Sequence, residues 1–277
     1  MRCAKDLSMF FSGKRSFRLL FNRAFTALAL CALAFPALAK EELIELTPRA
    51  GSRTLALLTH EPDRKPVAIA VLLPGGTGQF DFQTGAFGVR MRNEARLPNR
   101  LRPLLLAQGV ASLMVDSPAD KPEMDDVFRT SATHMGDLAA VLDAAATRFP
   151  GVPVILVGHS NGTISASHFA ATAGARLQAV MLVASRLVAT PQLGAGLSQF
   201  DWTTVQTKLM LVHHRFDDCF ATPYTGAVDL AANVSRFTLL TVDPAGSRAS
   251  GGCTFAGTHN LAGHEVRVAD AIAAAVR

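Results

Sequence analysis

The run Gly158-His159-Ser160-Asn161-Gly162 sets a serine between two glycines. It follows Val154-Ile155-Leu156-Val157, an apolar β-branched run that reads as a buried strand, and it leads into the helix-compatible Thr163-Ile164-Ser165-Ala166. A hydroxyl becomes a nucleophile when it projects from a tight strand-to-helix turn, with the free N–H groups of the helix N-terminus aimed at the reaction centre. Glycines flank such a turn because side chains there would collide. The serine also needs a base for its proton and an acid to orient that base. His213-His214-Arg215-Phe216-Asp217-Asp218 follows one apolar run, and His259 and His264 follow another. At this point Asp217 and Asp218 are both eligible as the acid, and His259 and His264 as the base.

The elements that must position these groups can be read from hydrophobic patterning. Eight short runs bounded by Gly, Pro or Asp are candidate strands: residues 43–46, 54–58, 67–73, 110–115, 154–157, 179–183, 209–212 and 237–242. Helical spacing occupies 132–148, 161–173 and 264–276. Strand and helix alternate from the third strand onward, which predicts a mostly parallel sheet with helices on both faces and the first two strands as a hairpin at one edge. Ser160, the two aspartates and His259 then all lie beyond the carboxyl ends of strands, where such sheets carry their reactive groups.

The chain has 277 residues, 49% of them hydrophobic and 18% charged, which predicts one folded domain. Its net charge of +5 lies at the N-terminus: residues 1–39 hold six basic residues and one acid, leaving 21 of each sign downstream. A neutral remainder argues against nucleic-acid binding, which needs a basic footprint on the folded part. The basic stretch runs into 12 apolar residues, Ala24 to Phe35, and then Pro36-Ala37-Leu38-Ala39. That is the pattern of a secretory signal peptide over 1–39, shorter than the roughly 20 residues of a membrane span. The expectation is a periplasmic or secreted domain at 40–277 with no stable membrane span. Cleavage removes Cys3 and Cys31, and an oxidising compartment predicts a disulfide between Cys219 and Cys253. No three-ligand spacing recurs around His159, His213 and His214, so neither a metal nor a cofactor is expected.

With these motifs in hand, the chain resembles the α/β-hydrolase superfamily over essentially the whole of 40–277. Within it, residues 212–219, Gly252-Cys253 and His259-Asn260-Leu261-Ala262-Gly263-His264-Glu265 are similar to a bacterial group of exported hydrolases. The resemblance implies a Ser160–His259–Asp217 triad, with Asp218 and His264 as the competing acid and base. Asn260 stands where relatives commonly have Gly. It also implies an oxyanion site built from the N–H of Asn161 and that of Gly76 or Thr77, in the loop Pro74-Gly75-Gly76-Thr77-Gly78. The 22 residues 186–207 are too few for a large helical lid. A small-molecule acyl substrate follows, with a carboxylic ester as the expected bond. An amide, peptide or thioester on the same triad, and a non-catalytic binding role for the fold, are the alternatives. Arg92, Arg96 and Arg100 recur at i, i+4 and read as one solvated helix face, with Arg90 or Arg92 within reach of an anionic substrate group. Arg129 and His134 read as structural.

Overall fold

Side-chain alternation along β3 (Ala68–Leu73) dictates the layering: Ile69, Val71 and Leu73 enter one apolar cluster and Ala68, Ala70 and Leu72 another, so both faces of this strand need cover. The computed structural model of the protein describes residues 39–86, 88–92, 94–243, 251–255 and 257–276. The expected signal peptide, apart from Ala39, lies outside the described residues.

The sheet has eight strands. β1 (Lys40–Arg49) and β2 (Ser52–His60) form the expected antiparallel edge hairpin. β4 (Gln83–Gly85) and β5 (Gly88–Arg90) make a separate small hairpin that sequence patterning had not indicated. β6 (Val110–Val115), β7 (Val154–His159), β8 (Ala179–Val183), β9 (Leu209–His214) and β10 (Phe237–Val242) complete the main sheet in the order β1-β2-β6-β3-β7-β8-β9-β10. β2 meets β6 antiparallel, and every pairing from β6 to β10 is parallel.

Helices cover both faces. α1 (Leu97–Leu106) and α6 (Glu265–Ala274) bury Leu97, Leu101, Leu105, Val268 and Ile272 against the Ala70 side. α3 (Ala132–Arg148), α4 (Gly162–Ala173) and α5 (Tyr224–Asn233) cover the Val71 side through Leu138, Leu142, Ile164, Phe169 and Ala227. Each such aliphatic or aromatic side chain contributes about 1.5–3 kcal/mol on burial. The short α2 (Asp126–Arg129) is capped by the Asp125 carboxylate, which accepts from Phe128 N–H. Between β8 and β9 the chain makes turns, one isolated bridge from Thr190 to Gly194 and a 3-10 turn at Trp202–Thr204, with no α-helical lid. This is an α/β sheet of the α/β-hydrolase type, and no described helix is long and apolar enough to cross a membrane.

Close backbone approaches tie the strand ends together. A Cβ at Gly162 would lie 2.4 Å from the Leu73 carbonyl oxygen, and one at Gly158 would lie 2.6 Å from the Gly162 carbonyl oxygen. Gly136 is different: it sits exposed within α3 and an added Cβ meets nothing within 4 Å. Gly162→Ala is therefore expected to destabilise the protein by about 1–3 kcal/mol through overpacking. Gly136→Ala is expected to stabilise it by about 0.5–1 kcal/mol through helix propensity. Urea unfolding of the two variants beside the wild type checks both signs.

Candidate active site

The turn after β7 holds Ser160 at φ +53°, a left-handed conformation that a side chain adopts only when its surroundings enforce it. Its N–H donates to the Val183 carbonyl at 2.9 Å, and Thr163 N–H and Thr163 Oγ1 donate to its own carbonyl at 3.0 and 2.6 Å, so the backbone is fixed on both sides. The hydroxyl has no hydrogen-bond partner among the described residues. The loop after β3 presses on this turn: a Cβ at Gly75 would come within 2.7 Å of Ser160 Cβ and 3.2 Å of Ser160 Oγ. Only glycine leaves room there for a serine hydroxyl.

The same loop presents its N–H groups freely. Carbonyls face inward, with Gly75 O accepting from Gly78 N–H at 3.1 Å and Gly76 O accepting from Asn161 Nδ2 at 3.0 Å and Arg129 Nη2 at 3.1 Å. A trans peptide points its N–H opposite its C=O, so holding these two oxygens turns the N–H groups of Gly76 and Thr77 the other way. Neither of those N–H groups, nor that of Asn161, has an acceptor among the described residues. Arg129, expected to be structural, thus reaches the loop beside the serine. Its other branch donates to Ser165 Oγ at 3.1 Å, and Ser165 Oγ pairs with His134 Nε2 at 2.9 Å. Burial lowers the Arg129 pKa to about 10 and that of His134 to about 3, so His134 is neutral.

Beyond β9, the buried Asp217 carboxylate collects four donors. Oδ2 accepts from His259 Nδ1 at 3.1 Å, His213 Nε2 at 3.1 Å and Thr222 Oγ1 at 2.9 Å, and Oδ1 accepts from Cys219 N–H at 3.0 Å. Burial alone would raise its pKa. Hydrogen bonds from His213 and His259 outweigh burial and hold it well below the ordinary 3.8, so it stays ionised. His259 Nδ1 also lies 2.9 Å from Thr222 Oγ1. Facing a carboxylate and a hydroxyl already committed to that carboxylate, Nδ1 carries the proton, which leaves Nε2 bare as an acceptor. His159, beside Ser160, holds the His259 carbonyl at 3.3 Å through Nε2, with the two rings 5.3 Å apart. Burial depresses the His159 pKa to about 3, so this neighbour adds no positive charge.

The competing acid and base do other things. Asp218 accepts from the N–H groups of Gly251 and Gly252 and from Thr258 Oγ1 at 2.9, 3.0 and 3.1 Å, organising the loop that carries His259; the Gly252 bond is the main cause of its lowered pKa. His264 sits at the start of α6 with its ring 5.6 Å from that of His214. The Cys219–Cys253 disulfide is present and joins the acid loop to the base loop. Cross-linking a 34-residue separation contributes about 3–4 kcal/mol on the chain-entropy estimate. Asn260 is fully buried and caps α1 from a distance: its Oδ1 accepts from Leu97 N–H at 3.1 Å, and its Nδ2 donates to Ala95 O at 3.0 Å and Phe255 O at 2.7 Å. A glycine at this position could not make those bonds.

The arginine row departs from expectation. α1 begins at Leu97, so Arg92 lies before it and the three residues share no helix face. Arg96 is buried at its N-cap, and Arg100 pairs with Glu265 at 2.8 Å. Arg92 is exposed and pairs with Asp81 at 3.2 Å, and Arg90 is exposed on the small hairpin. The guanidinium groups beside the loop at Gly75 and Gly76 belong to Arg96 and Arg129.

A family model described as Hydrolase_4, serine aminopeptidase, S33, matches residues 126–221, a stretch that includes Ser160 and Asp217 and ends before His259. A search of curated proteins finds no match. Among solved structures, the chain is similar to a cold-adapted esterase from an Arctic intertidal metagenomic library, with TM-score 0.60 and 15% identity over 86% of this chain and 95% of that one. It is similar to a dienelactone hydrolase from Anabaena variabilis, with TM-score 0.58 and 14% identity over 85% and 96% of the two chains. A third is an α/β serine hydrolase without lid from Xanthomonas campestris, with TM-score 0.57 and 16% identity over 88% and 95%. At these identities the likeness is one of architecture: the chain has the α/β-hydrolase fold.

Because the Asp217 pKa is depressed on folding, its contribution to stability is complete above its ordinary value of 3.8 and is lost as pH falls below it. Asp217→Asn should cost about 3–5 kcal/mol at pH 7, the range for breaking a buried ionic cluster from one side. The gap to wild type should hold down to about pH 4 and close below it. Urea unfolding of both proteins across that range checks the sign and the window.

Proposed function

We propose that the protein is an exported serine hydrolase that cleaves carboxylic esters of small acyl substrates through an acyl-enzyme. One observation carries this reading: the ionised, buried Asp217 fixes His259 with its proton on Nδ1, on the same rim as an unpartnered serine hydroxyl held at a strained turn. In the proposed reaction His259 Nε2 takes the Ser160 proton as Oγ attacks the acyl carbonyl. The N–H groups of Asn161 and of Gly76 or Thr77 receive the negative charge that develops on the carbonyl oxygen. His259 then returns the proton to the leaving alcohol, water attacks the acyl-serine by the reverse path, and Asp217 stays ionised throughout.

The esterase and dienelactone hydrolase among the similar structures favour an ester bond, and the lack of a helical lid between β8 and β9 favours small or polar substrates. The partial match to a serine aminopeptidase model supports a second reading, cleavage of an N-terminal peptide bond. Against it stand the guanidinium groups of Arg96, Arg129 and Arg186 around the serine and its loop, a poor setting for a substrate ammonium group. Export is supported by the leader pattern in 1–39 and by the disulfide.

A fluorophosphonate probe applied to residues 40–277 should label Ser160, with labelling lost in Ser160→Ala. Ser160→Ala and His259→Ala should each lower kcat on an activated short-chain ester by about 10^4-fold or more, since such groups act as a unit. A panel of ester, amide, thioester and aminoacyl substrates decides the bond. An inert Ser160 in folded protein would contradict the reading and point to a binding role.

A further inference from the structure

Arg96 is a buried cation with little to hold it. Its guanidinium lies over the rings of Phe255 and Phe80, 5.0 and 5.9 Å from their centroids, and among the described residues makes one hydrogen bond, from Nη1 to the Gly75 carbonyl at 3.3 Å. Only 8% of the residue is exposed. Among the described residues, the buried Nε has no acceptor and no carboxylate lies within ion-pair distance. The neighbouring Arg129 and Arg186 also leave Nε without an acceptor among the described residues, but Arg129 makes two hydrogen bonds, to Gly76 O and Ser165 Oγ, and the others are paired with carboxylates. Arg186 meets both oxygens of Asp126 at 2.9 and 2.6 Å, together with Asn161 Oδ1 and Leu193 O. Arg100 has Glu265, and Arg102 has Glu41, Thr59 and Asn99. Asp116, whose charge reaches Arg96, already accepts from the N–H groups of Phe80, Phe82 and Ser117.

The vacant side of Arg96 is the one suited to a carboxylate. With Nη1 on Gly75, the Nε and Nη2 edge has no acceptor among the described residues, and that edge presents two parallel donors to a planar oxyanion. Its position is close to the reaction centre. A Cβ at Gly76 would lie 4.0 Å from Nη2, and Gly75, whose carbonyl Arg96 holds, presses on Ser160. The two aromatic faces fix the plane of the guanidinium without consuming its donors.

We infer that Arg96 is a specificity-determining residue that binds a carboxylate carried by the substrate a short spacer away from the scissile ester. The inference rests on the ester-hydrolase reading above and names its substrate class. It also moves the anion-recognising role that the sequence suggested for Arg90 or Arg92 to a buried position. Those two are exposed, and Arg92 already has Asp81.

The test compares charged esters with neutral counterparts of similar size on residues 40–277. Ethyl hydrogen succinate against ethyl valerate, read by ethanol release, places the charge in the acyl part; 3-(butyryloxy)propanoate against propyl butyrate, read by butyrate release, places it in the alcohol part. The wild type should favour the anionic member of one pair by at least tenfold in kcat/KM. Arg96→Met should bring that ratio to near one, and Arg96→Lys should keep part of it. Should Arg96→Met fail to fold, calorimetry on Ser160→Ala supplies the second measurement: succinate should bind and succinamide should not. Wild-type indifference to charge in both pairs, or a preference that survives Arg96→Met, overturns the inference while leaving the hydrolase reading intact. Loss of all ester turnover together with failure of Ser160 labelling is the separate failure of that reading. If succinate does not bind Ser160→Ala, the carboxylate site itself is refuted.

Discussion

The organisation of the site depends on keeping one carboxylate ionised where burial opposes it. The Asp217 carboxyl group is fully enclosed, and desolvation by itself would raise its pKa. Four donors prevent that, and each comes from a part of the chain that must then be fixed. His213 is the penultimate residue of β9, Cys219 N–H requires the turn that follows, Thr222 requires the entry to α5, and His259 must return from the loop after β10. The disulfide and the Asp218 contacts with Gly251, Gly252 and Thr258 bring that last loop back. A loop that strayed would cost the carboxylate one of its two histidine hydrogen bonds and leave a buried anion short of a partner.

A second constraint acts at the other end of the site, through sterics. Three glycines remove the atoms that would separate β3, the turn at Ser160 and the first residue of α4. The carbonyls of Gly75 and Gly76 are then pinned by Arg96, Arg129 and Asn161, which frees the N–H groups on the opposite side. Buried arginines do here what a backbone ladder cannot, since a loop approached this closely by the serine has no strand beside it. Their charge also raises the potential where negative charge would develop.

The eight strands of the main sheet were legible because each holds a short apolar run between Gly, Pro or Asp, and α3 was legible to its last residue because its 3.6-residue spacing is regular. α1 was not. It carries Pro98 and Pro103 and two arginines, and its first N–H is capped by Asn260, 163 residues away in sequence. That remote cap is why the i, i+4 arginine spacing misled: the helix starts one residue after Arg96, which turns inward. In the site, Ser160 could be named from its motif and strand end, and Asp217 or Asp218 with His259 or His264 from type and order; the choice of Asp217 and His259 came from the resemblance. Thr222, His213 as a donor to Asp217, and the Arg129 hold on Gly76 could not, because each is a side-chain contact created by folding. His213 at four residues before Asp217 was the one local hint, and a strand followed by a turn gives no rule for that spacing.

The account stands most directly on the proton between His259 and Asp217. Low-field proton NMR of residues 40–277, with histidine labelled in the ring nitrogens, should show an Nδ1–H resonance from His259 far downfield of the backbone amides, as expected for a proton shared with a buried carboxylate. It should vanish in Asp217→Asn and persist in Asp218→Asn and His264→Ala. A downfield proton that survives Asp217→Asn, or that disappears with Asp218→Asn in a folded protein, would contradict the assignment of acid and base on which the rest depends.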